Sequence, residues 1–339
     1  MKSTVAIALS GGTDSAVAAL VLKSAGYSVT GIHLILNRDA RSYAQLERAE
    51  EIARRIDLPF RVYDATDAFS SMVVEPTRSE YLAGRTPNPC VRCNRMVKFG
   101  LLVQYALSQG AGLLATGHYA RIGEREGRSV LMRALDRHAD QSYFLYAVER
   151  GVLDRVVFPL GSKQRHDVRD IAEDYGIEAT PSQDICFDVQ DGVAPHPGNI
   201  VDQEGNVIGR HQGLQSFTIG QRRGLGIPTG TPRYVVRIRV ESNEVVVGSA
   251  QDLSCQEAEI RDENWQAGPP ESPEQQVLAQ VRYRARPVPA HVFSNPGGTR
   301  VVFDEAQSAV APGQSLVLYD GDVVLGGGTI EAAFVRNAP

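Results

Sequence analysis

The chain has 339 residues, 42% of them hydrophobic and 22% charged, with a formal net charge of −5. That length supports two or three domains with sizeable cores, and the balance is ordinary for a soluble globular protein. The mild acidity excludes a globally basic nucleic-acid binder and leaves only local patches for such a partner. No apolar run approaches the roughly 18 residues of a membrane span, so no membrane partner is expected. Met1-Lys2-Ser3 leads straight into a core strand. We therefore expect a cytoplasmic chain with neither signal peptide nor anchor. Four cysteines, at 90, 93, 186 and 255, are too few and too scattered for a disulfide scaffold.

The first predicted element is Val5-Ala6-Ile7-Ala8-Leu9, a continuous apolar strand of the kind buried on both faces. It opens through Ser10-Gly11-Gly12-Thr13-Asp14-Ser15 onto a helical run from Ala16 to Ala25. A strand ending in small residues at a helix N-terminus makes a cradle of backbone N–H groups for an anion. The two glycines allow a sharp turn and close approach of a phosphate. No G-K-[ST] closes the loop, so it is not a Walker loop.

Ser28–Leu34 reads as a second strand, and Phe60–Tyr63 as a third. Between them Leu46, Ala49, Ile52, Ala53 and Ile56 recur at helical spacing, with Glu47, Glu50, Glu51, Arg54 and Arg55 on the wet face. Val97–Leu107 reads as another helix, and Gly112–Thr116 as another buried strand. This alternation predicts a parallel sheet with right-handed crossovers. Ligands of such sheets sit beyond the carboxyl ends of the strands, where Ser10–Ser15 lies.

Just before the Val97 helix, Thr86-Pro87-Asn88-Pro89-Cys90-Val91-Arg92-Cys93-Asn94 holds a C-x-x-C pair on a proline-stiffened approach. Cys93 is expected just ahead of the helix, where N-terminal N–H groups favour a thiolate. A structural zinc site would need a second such pair, and the chain has none. Ser182-Gln183-Asp184-Ile185-Cys186-Phe187 adds a third cysteine.

From Pro197 onward glycines and prolines punctuate short β-branched strands: Tyr234–Val240, Glu244–Val247, Val277–Arg282, Arg300–Phe303, Ser315–Leu318 and Val323–Leu325. Asp320-Gly321 is a hairpin turn signal, and the ending is expected to be barrel-like. Asn264–Gln275, with three prolines, reads as a linker. Arginines cluster locally, at 92 and 95 with Lys98, at 222 and 223, and at 282, 284 and 286.

Taken together, these motifs resemble the bacterial tRNA-specific 2-thiouridylases, a family within the PP-loop ATP pyrophosphatases. The resemblance runs through S-G-G-T-D-S (10–15), A-G-R-T-P-N-P-C-V-R-C-N (83–94), A-T-G-H-Y-A-R-I (115–122), D-Q-S-Y-F-L (140–145) and S-Q-D-I-C-F (182–187). It continues through G-R-H-Q-G (209–213), T-I-G-Q-R-R-G-L-G-I (218–227), R-Y-R (282–284), A-P-G-Q (311–314) and L-G-G-G (325–328).

The resemblance implies an α/β fold in three parts. A Rossmann-like PP-loop domain with a parallel sheet would cover 1–190, a small β-rich tRNA-binding domain 191–255, and a C-terminal β-barrel 256–339. It implies a tRNA sulfurtransferase that uses ATP and Mg²⁺. Such an enzyme adenylates the C2 oxygen of the wobble uridine (position 34) in the anticodon stem-loop. Sulfur then replaces that oxygen to give 2-thiouridine, with release of AMP and pyrophosphate.

By the same resemblance, Ala8, Leu9, Ser10, Gly11, Gly12, Thr13, Asp14 and Ser15 hold the ATP phosphates, with Asp14 also catalytic. Leu34 and Gly117 flank the adenosine. Cys186 carries a persulfide received from a sulfur-donor protein or relay, and Cys93 resolves it. Asn88, Pro89 and Cys90 touch the flipped-out base. His118, Ala139, Asp140, Gln141, Arg282, Tyr283 and Gln314 match tRNA-contact positions.

The family's usual motif reads N-P-D-x-x-C-N, and Cys90 stands here in place of its Asp. Cys90, Cys93 and Cys186 therefore form a set that two chemistries fit. One is a [4Fe–4S] cluster on three ligands that brings inorganic sulfide, acting on this or another tRNA base. The other is a Cys90–Cys93 disulfide or resolving pair working with a Cys186 persulfide.

Overall fold

The computed structural model describes residues 4–180, 186–189, 194–227, 230–270, 274–295 and 298–334. Its N-terminal part is built on strands β1 (Thr4–Ala8), β2 (Ser28–Ile35), β3 (Phe60–Asp64) and β4 (Leu113–Ala115). A hairpin of β5 (Ala120–Arg125) and β6 (Arg128–Arg133) follows, and then β7 (Val156–Val157). The sheet runs β3-β2-β1-β4-β7 with every pair parallel. Val5, Ala6 and Ile7 of the central β1 are buried, as a strand covered on both faces requires.

Helix α1 (Thr13–Ser24) is buried along almost its whole length, from Ser15 to Leu22, because its residues are apolar all round. Helix α2 (Ala40–Arg55) instead buries only a stripe, including Ala49 and Ala53, and Asp39 caps it by accepting from Ser42 N at 2.7 Å.

Between β3 and β4 the strand–helix alternation stops. Two helical segments, 66–82 and 89–108, pack together through Phe69, Val73, Val74, Cys93 and Val97, and each contains a π-helical stretch. The second begins at Pro89, eight residues before the sequence reading placed it. Asn88 is its cap and Pro89 its first residue, the preferred types at both positions. Cys90 and Cys93 therefore lie inside the first turns of the helix, not ahead of it.

The central sheet runs β10-β11-β8-β9, from β8 (Gly198–Val201), β9 (Val207–His211), β10 (Tyr234–Arg239) and β11 (Glu244–Gly248). The last part is a closed barrel of β12 (Ser254–Trp265), β13 (Gln275–Gln280), β14 (Val288–Asn295), β15 (Gly298–Ser308), β16 (Ser315–Asp320) and β17 (Val323–Phe334). The order is β12-β15-β14-β13-β16-β17, and β12 pairs with β17 to close it. Gly321, with φ 56, makes the expected turn between β16 and β17.

Two features of the barrel depart from the sequence reading. The start of the segment Asn264–Gln275 is not a free linker: Asn264 and Trp265 complete β12 against Gly327 and Gly326, and Gln266 is fully buried, while residues 271–273 lie outside the described residues. Asn264 Nδ2 and Gln266 Nε2 donate to Tyr146 O at 2.6 and 3.0 Å, so this stretch seals a seam with the N-terminal part. The β5–β6 hairpin, unforeseen in the sequence, leaves the N-terminal part and extends the barrel sheet through Met132 against Val323.

Candidate active site

The loop after β1 lies at the carboxyl edge of the parallel sheet. Gly11 sits at φ 79, and a Cβ there would fall 2.5 Å from Gln45 O of α2, so only glycine fits. Ser15 ties the loop together: its hydroxyl accepts from Ser10 N at 3.1 Å and donates to Gly12 O at 2.9 Å. Gly12 caps α1 without a side-chain hydrogen bond, and a Cβ there would meet only ordinary contacts at 3.4 Å. Its bare face opens instead into a cavity of about 300 Å³. Ser10–Ser15, Arg48, Arg165, Arg169 and Thr180 line that cavity. Helix N-terminal amides with three guanidinium groups make an anion site, and the dimensions suit a chain of phosphates.

Asp14 faces the same cavity. Burial pushes its carboxyl pKa up, against the hydrogen bond from Tyr119 Oη to Oδ1 at 3.0 Å and the charges of Arg165 and Arg169. Tyr119 is in turn held by its own amide, which donates to Gln141 Oε1 at 2.9 Å. Gly117 does not line the cavity. It lets the loop after β4 lie against α1, since a Cβ would fall 2.8 Å from Ser15 N.

A smaller cavity of about 150 Å³ opens from the same loop. Ala8, Leu9 and Ser10 form one wall, with Ile32, Leu34 and Leu36 as an apolar floor of the kind a purine ring fits. Lys98 and Cys186 complete it. Cys186 is exposed, and its carbonyl accepts from Asn37 Nδ2 at 3.0 Å. The next residue, Phe187, packs edge-on against Phe69 at 5.8 Å, which seats Cys186 beside the Cys90–Cys93 helix. Residues 181–185 of the S-Q-D-I-C-F motif lie outside the described residues.

Cys93 is buried, and burial pushes its thiol up to about 12, with Cys186 and Cys90 near enough to raise it further and Lys98 opposing. The thiolate expected from a helix N-terminus is therefore not its resting state, because desolvation outweighs the helix amides. Among the described residues no group of three His, Cys, Asp or Glu side chains has an arrangement that could hold a metal ion. Cys90, Cys93 and Cys186, as the structure sets them, form no such group and so do not fit an iron–sulfur cluster.

The residues matched to tRNA contacts divide into two groups. Arg282 is exposed, and the Tyr283 ring lies tilted against Phe144 with ring centroids 4.3 Å apart. Tyr283, with Arg284, Arg286, Arg137 and His138, borders an open groove of about 750 Å³. The others are bonded or packed within the chain, although Asp140 also lines this groove. Ala139 and Asp140 are buried, and Asp140 accepts from Arg133 Nε at 2.8 Å and from the amides of Ala134 and Ser142. Gln141 holds Tyr119, as above. His118 lies between Phe99 and Phe158, and its Nδ1 is 2.7 Å from Thr116 Oγ1. Burial drives its pKa well below the ordinary value, helped by Lys98. Gln314 Nε2 donates to Thr86 O at 2.9 Å.

Sequence reading did not find Tyr119, Arg48, Arg165, Arg169, Lys98 or Thr180 at this site. Arg165 and Arg169 are one helical turn apart, an i,i+4 cationic pair at the start of Arg165–Asp174 whose spacing puts both on one helix face. Tyr119 lay within a quoted motif beside His118. Nothing local marked Thr180, which is 167 residues from Thr13 in sequence and 3.3 Å from its amide in space.

Three family models match in succession: the tRNA methyl transferase HUP domain over residues 3–190, the tRNA methyl transferase PRC-barrel domain over 189–249, and the aminomethyltransferase beta-barrel domain over 255–330. The chain is 41% identical over 348 residues to a tRNA-specific 2-thiouridylase, MnmA 1, of Clostridium botulinum (strain Okra / Type B1), covering 97% of this chain and 99% of that protein. A tRNA-specific 2-thiouridylase MnmA of Trichormus variabilis is 41% identical over 349 residues, covering 98% and 99%. Among solved structures, the U34-tRNA thiolase NcsA from Methanococcus maripaludis with its [4Fe-4S] cluster overlaps 56% of this chain and 62% of its own. Its TM-score of 0.39 and identity of 17% are too slight to carry an argument. The words methyl transferase in two of the family descriptions and thiouridylase in the relatives differ in chemistry, and the near-full-length identity favours the second.

Proposed function

The chain belongs to the family of tRNA-specific 2-thiouridylases, and from that premise we propose that it converts the wobble uridine of tRNA to 2-thiouridine at the expense of ATP. One observation carries the reading: Cys186 lines the same small cavity as Ala8, Leu9 and Ser10, so a sulfur nucleophile and the nucleotide loop share one space. The α1 amides with Arg48, Arg165 and Arg169 hold the phosphates, and the apolar wall at Leu34 takes the adenine. Mg²⁺, when bound, shields phosphate charge in this site.

The C2 oxygen of the uridine attacks the α-phosphate, and pyrophosphate leaves. C2 of an intact uridine is a poor electrophile, so activation precedes sulfur transfer. Cys186 is accessible and accepts sulfur from a donor as a persulfide. The terminal sulfur bonds to C2, and the C2–O bond breaks with AMP leaving. Cys93 then attacks Cys186 Sγ, its thiol proton passing to N3 of the base as the sulfur departs on it as C=S, and a Cys93–Cys186 disulfide is left for an external thiol to reduce. Cys186→Ser and Cys93→Ser are each expected to abolish 2-thiouridine formation while ATP still binds. Retained thiolation in either variant would overturn the cysteine mechanism.

A further inference from the structure

The barrel grips the loop that presents the cysteines at Thr86. Thr86, buried, donates its amide to Pro312 O at 2.8 Å, and its carbonyl accepts from Gln314 Nε2 at 2.9 Å. Both backbone groups of Thr86 are thus satisfied by one turn, 311–314. That turn is itself fixed in the barrel. Gly313 N donates to Ile330 O and Ile330 N to Gln314 O, each at 2.8 Å, and Gln314 N donates to Ala311 O at 3.1 Å. Gly313 has φ 91, and a Cβ there would fall 2.8 Å from Thr86 N, so the turn and the loop meet backbone to backbone.

The contact continues toward the chemistry. Two residues past Thr86, Asn88 caps the cysteine helix by accepting from Val91 N at 3.4 Å. Tyr143 donates its hydroxyl to Ser315 O at 2.8 Å, just beyond the same turn. Cys90 and Cys93 follow in the first turns of that helix. A series of short contacts therefore runs from the barrel turn through Thr86 and Asn88 to the two thiols.

We infer that Gln314 is a positioning residue: with Gly313 it fixes Thr86 and so sets where the Cys90–Cys93 helix stands relative to the ATP loop. The role rests on the thiolation reading above, and it differs from direct contact with RNA, which the family resemblance implies for this position. A side-chain amide committed to a backbone carbonyl of its own chain acts through that chain.

The test compares Gln314→Ala and Gln314→Glu with the parent protein. Glu keeps the size and loses the N–H donor. Three quantities are read: the single-turnover thiolation rate, the tRNA dissociation constant and the hydrogen-exchange rate of the Thr86 amide. Both variants are expected to thiolate about 10- to 100-fold more slowly, the scale of a small misplacement of reacting groups. The tRNA dissociation constant should stay within about twofold, since no phosphate or base contact is lost, while the Thr86 amide exchanges faster. An unchanged rate with faster exchange overturns the role, as does weaker tRNA binding that is larger for Glu than for Ala, which marks an RNA contact. Failure of the parent protein to thiolate overturns the underlying reading instead, and exchange at Thr86 then still reports whether Gln314 holds the loop.

Discussion

Cys93 illustrates how a residue's surroundings decide what its chemistry is available for. Its thiol, ordinarily near 9.0, is pushed up to about 12 by burial, so at neutral pH it keeps its proton while the exposed Cys186 is open to reagents. Iodoacetamide at pH 7.5 is therefore expected to label Cys186 well before Cys93, as read by peptide mass; faster labelling of Cys93 would contradict the assigned order. The same shift bears on stability. In the unfolded chain the thiol ionises near its ordinary value, while in the fold it stays protonated to about 12. The fold binds the extra proton between those values, so stability is complete below pH 9 and declines as pH rises toward 12. The slope is roughly 1.4 kcal/mol per pH unit for one such group. Cys255, pushed up to about 11 by burial, adds to the decline in the same direction. Cys93→Ser should accordingly melt with a shallower loss between pH 9 and 10.5 than the parent protein, and an identical slope would show that Cys93 is more open than its burial indicates.

At the scale of elements, the loop after β4 and the start of α1 form one joint. Gly117→Ala would place a Cβ 2.8 Å from Ser15 N and 2.9 Å from the Asp14 carbonyl carbon, both backbone atoms that cannot swing aside. The expected result is a loss of about 1–3 kcal/mol of stability, typical of overpacking, together with at least about a tenfold rise in the KM for ATP as the loop shifts. Denaturant unfolding and a steady-state ATP titration check both, and a variant with parental values would mean that the joint is loose. The joint also shows what sequence made legible. β1, the loop and α1 could be read because an unbroken apolar strand, two glycines and an apolar helix lie side by side in the chain. The cysteine helix was placed too late because Val97–Leu107 carries the apolar periodicity, whereas its true start is marked by a cap: Asn88 followed by Pro89. The β5–β6 hairpin escaped notice for a related reason. Its turn is Glu126-Gly127, both at positive φ (55 and 72), and Glu carries none of the turn preference of Asn or Asp. Thr180 and the barrel turn at 311–314 meet the site only through contacts across more than 160 residues, which no local pattern encodes.

The whole molecule is held by a core that ignores the boundary between its N-terminal part and its barrel. Val317, Tyr319 and Val324 of the barrel are buried in the same cluster as Phe99, Leu102, Leu131, Tyr143 and Leu145. Around it, Arg121 Nη2 bonds Asp322 Oδ2 at 2.7 Å, Arg137 bonds the other carboxylate oxygen, and Asn264 reaches Tyr146 O. Asp322 is partly exposed, so its ion pairs contribute little beside the buried side chains. Each large apolar group in such a core is worth about 1.5–3 kcal/mol. Removing the barrel would uncover this face and leave Tyr143 without the Ser315 carbonyl that its hydroxyl bonds in the intact core. It would also remove the partner strand of the β5–β6 hairpin and the turn that fixes Thr86. A fragment ending before β12, at residue 253, is therefore expected to lose more than ATP-independent steps: it should bind the hydrophobic dye ANS, elute as aggregates in size-exclusion chromatography and lack a cooperative melt. A fragment that stayed monomeric, melted cooperatively and bound ATP with parental affinity would show that the nucleotide site is independent of the barrel. In that case the cysteine helix alone would depend on the barrel turn, and Gln314 would be the place where the two parts meet functionally.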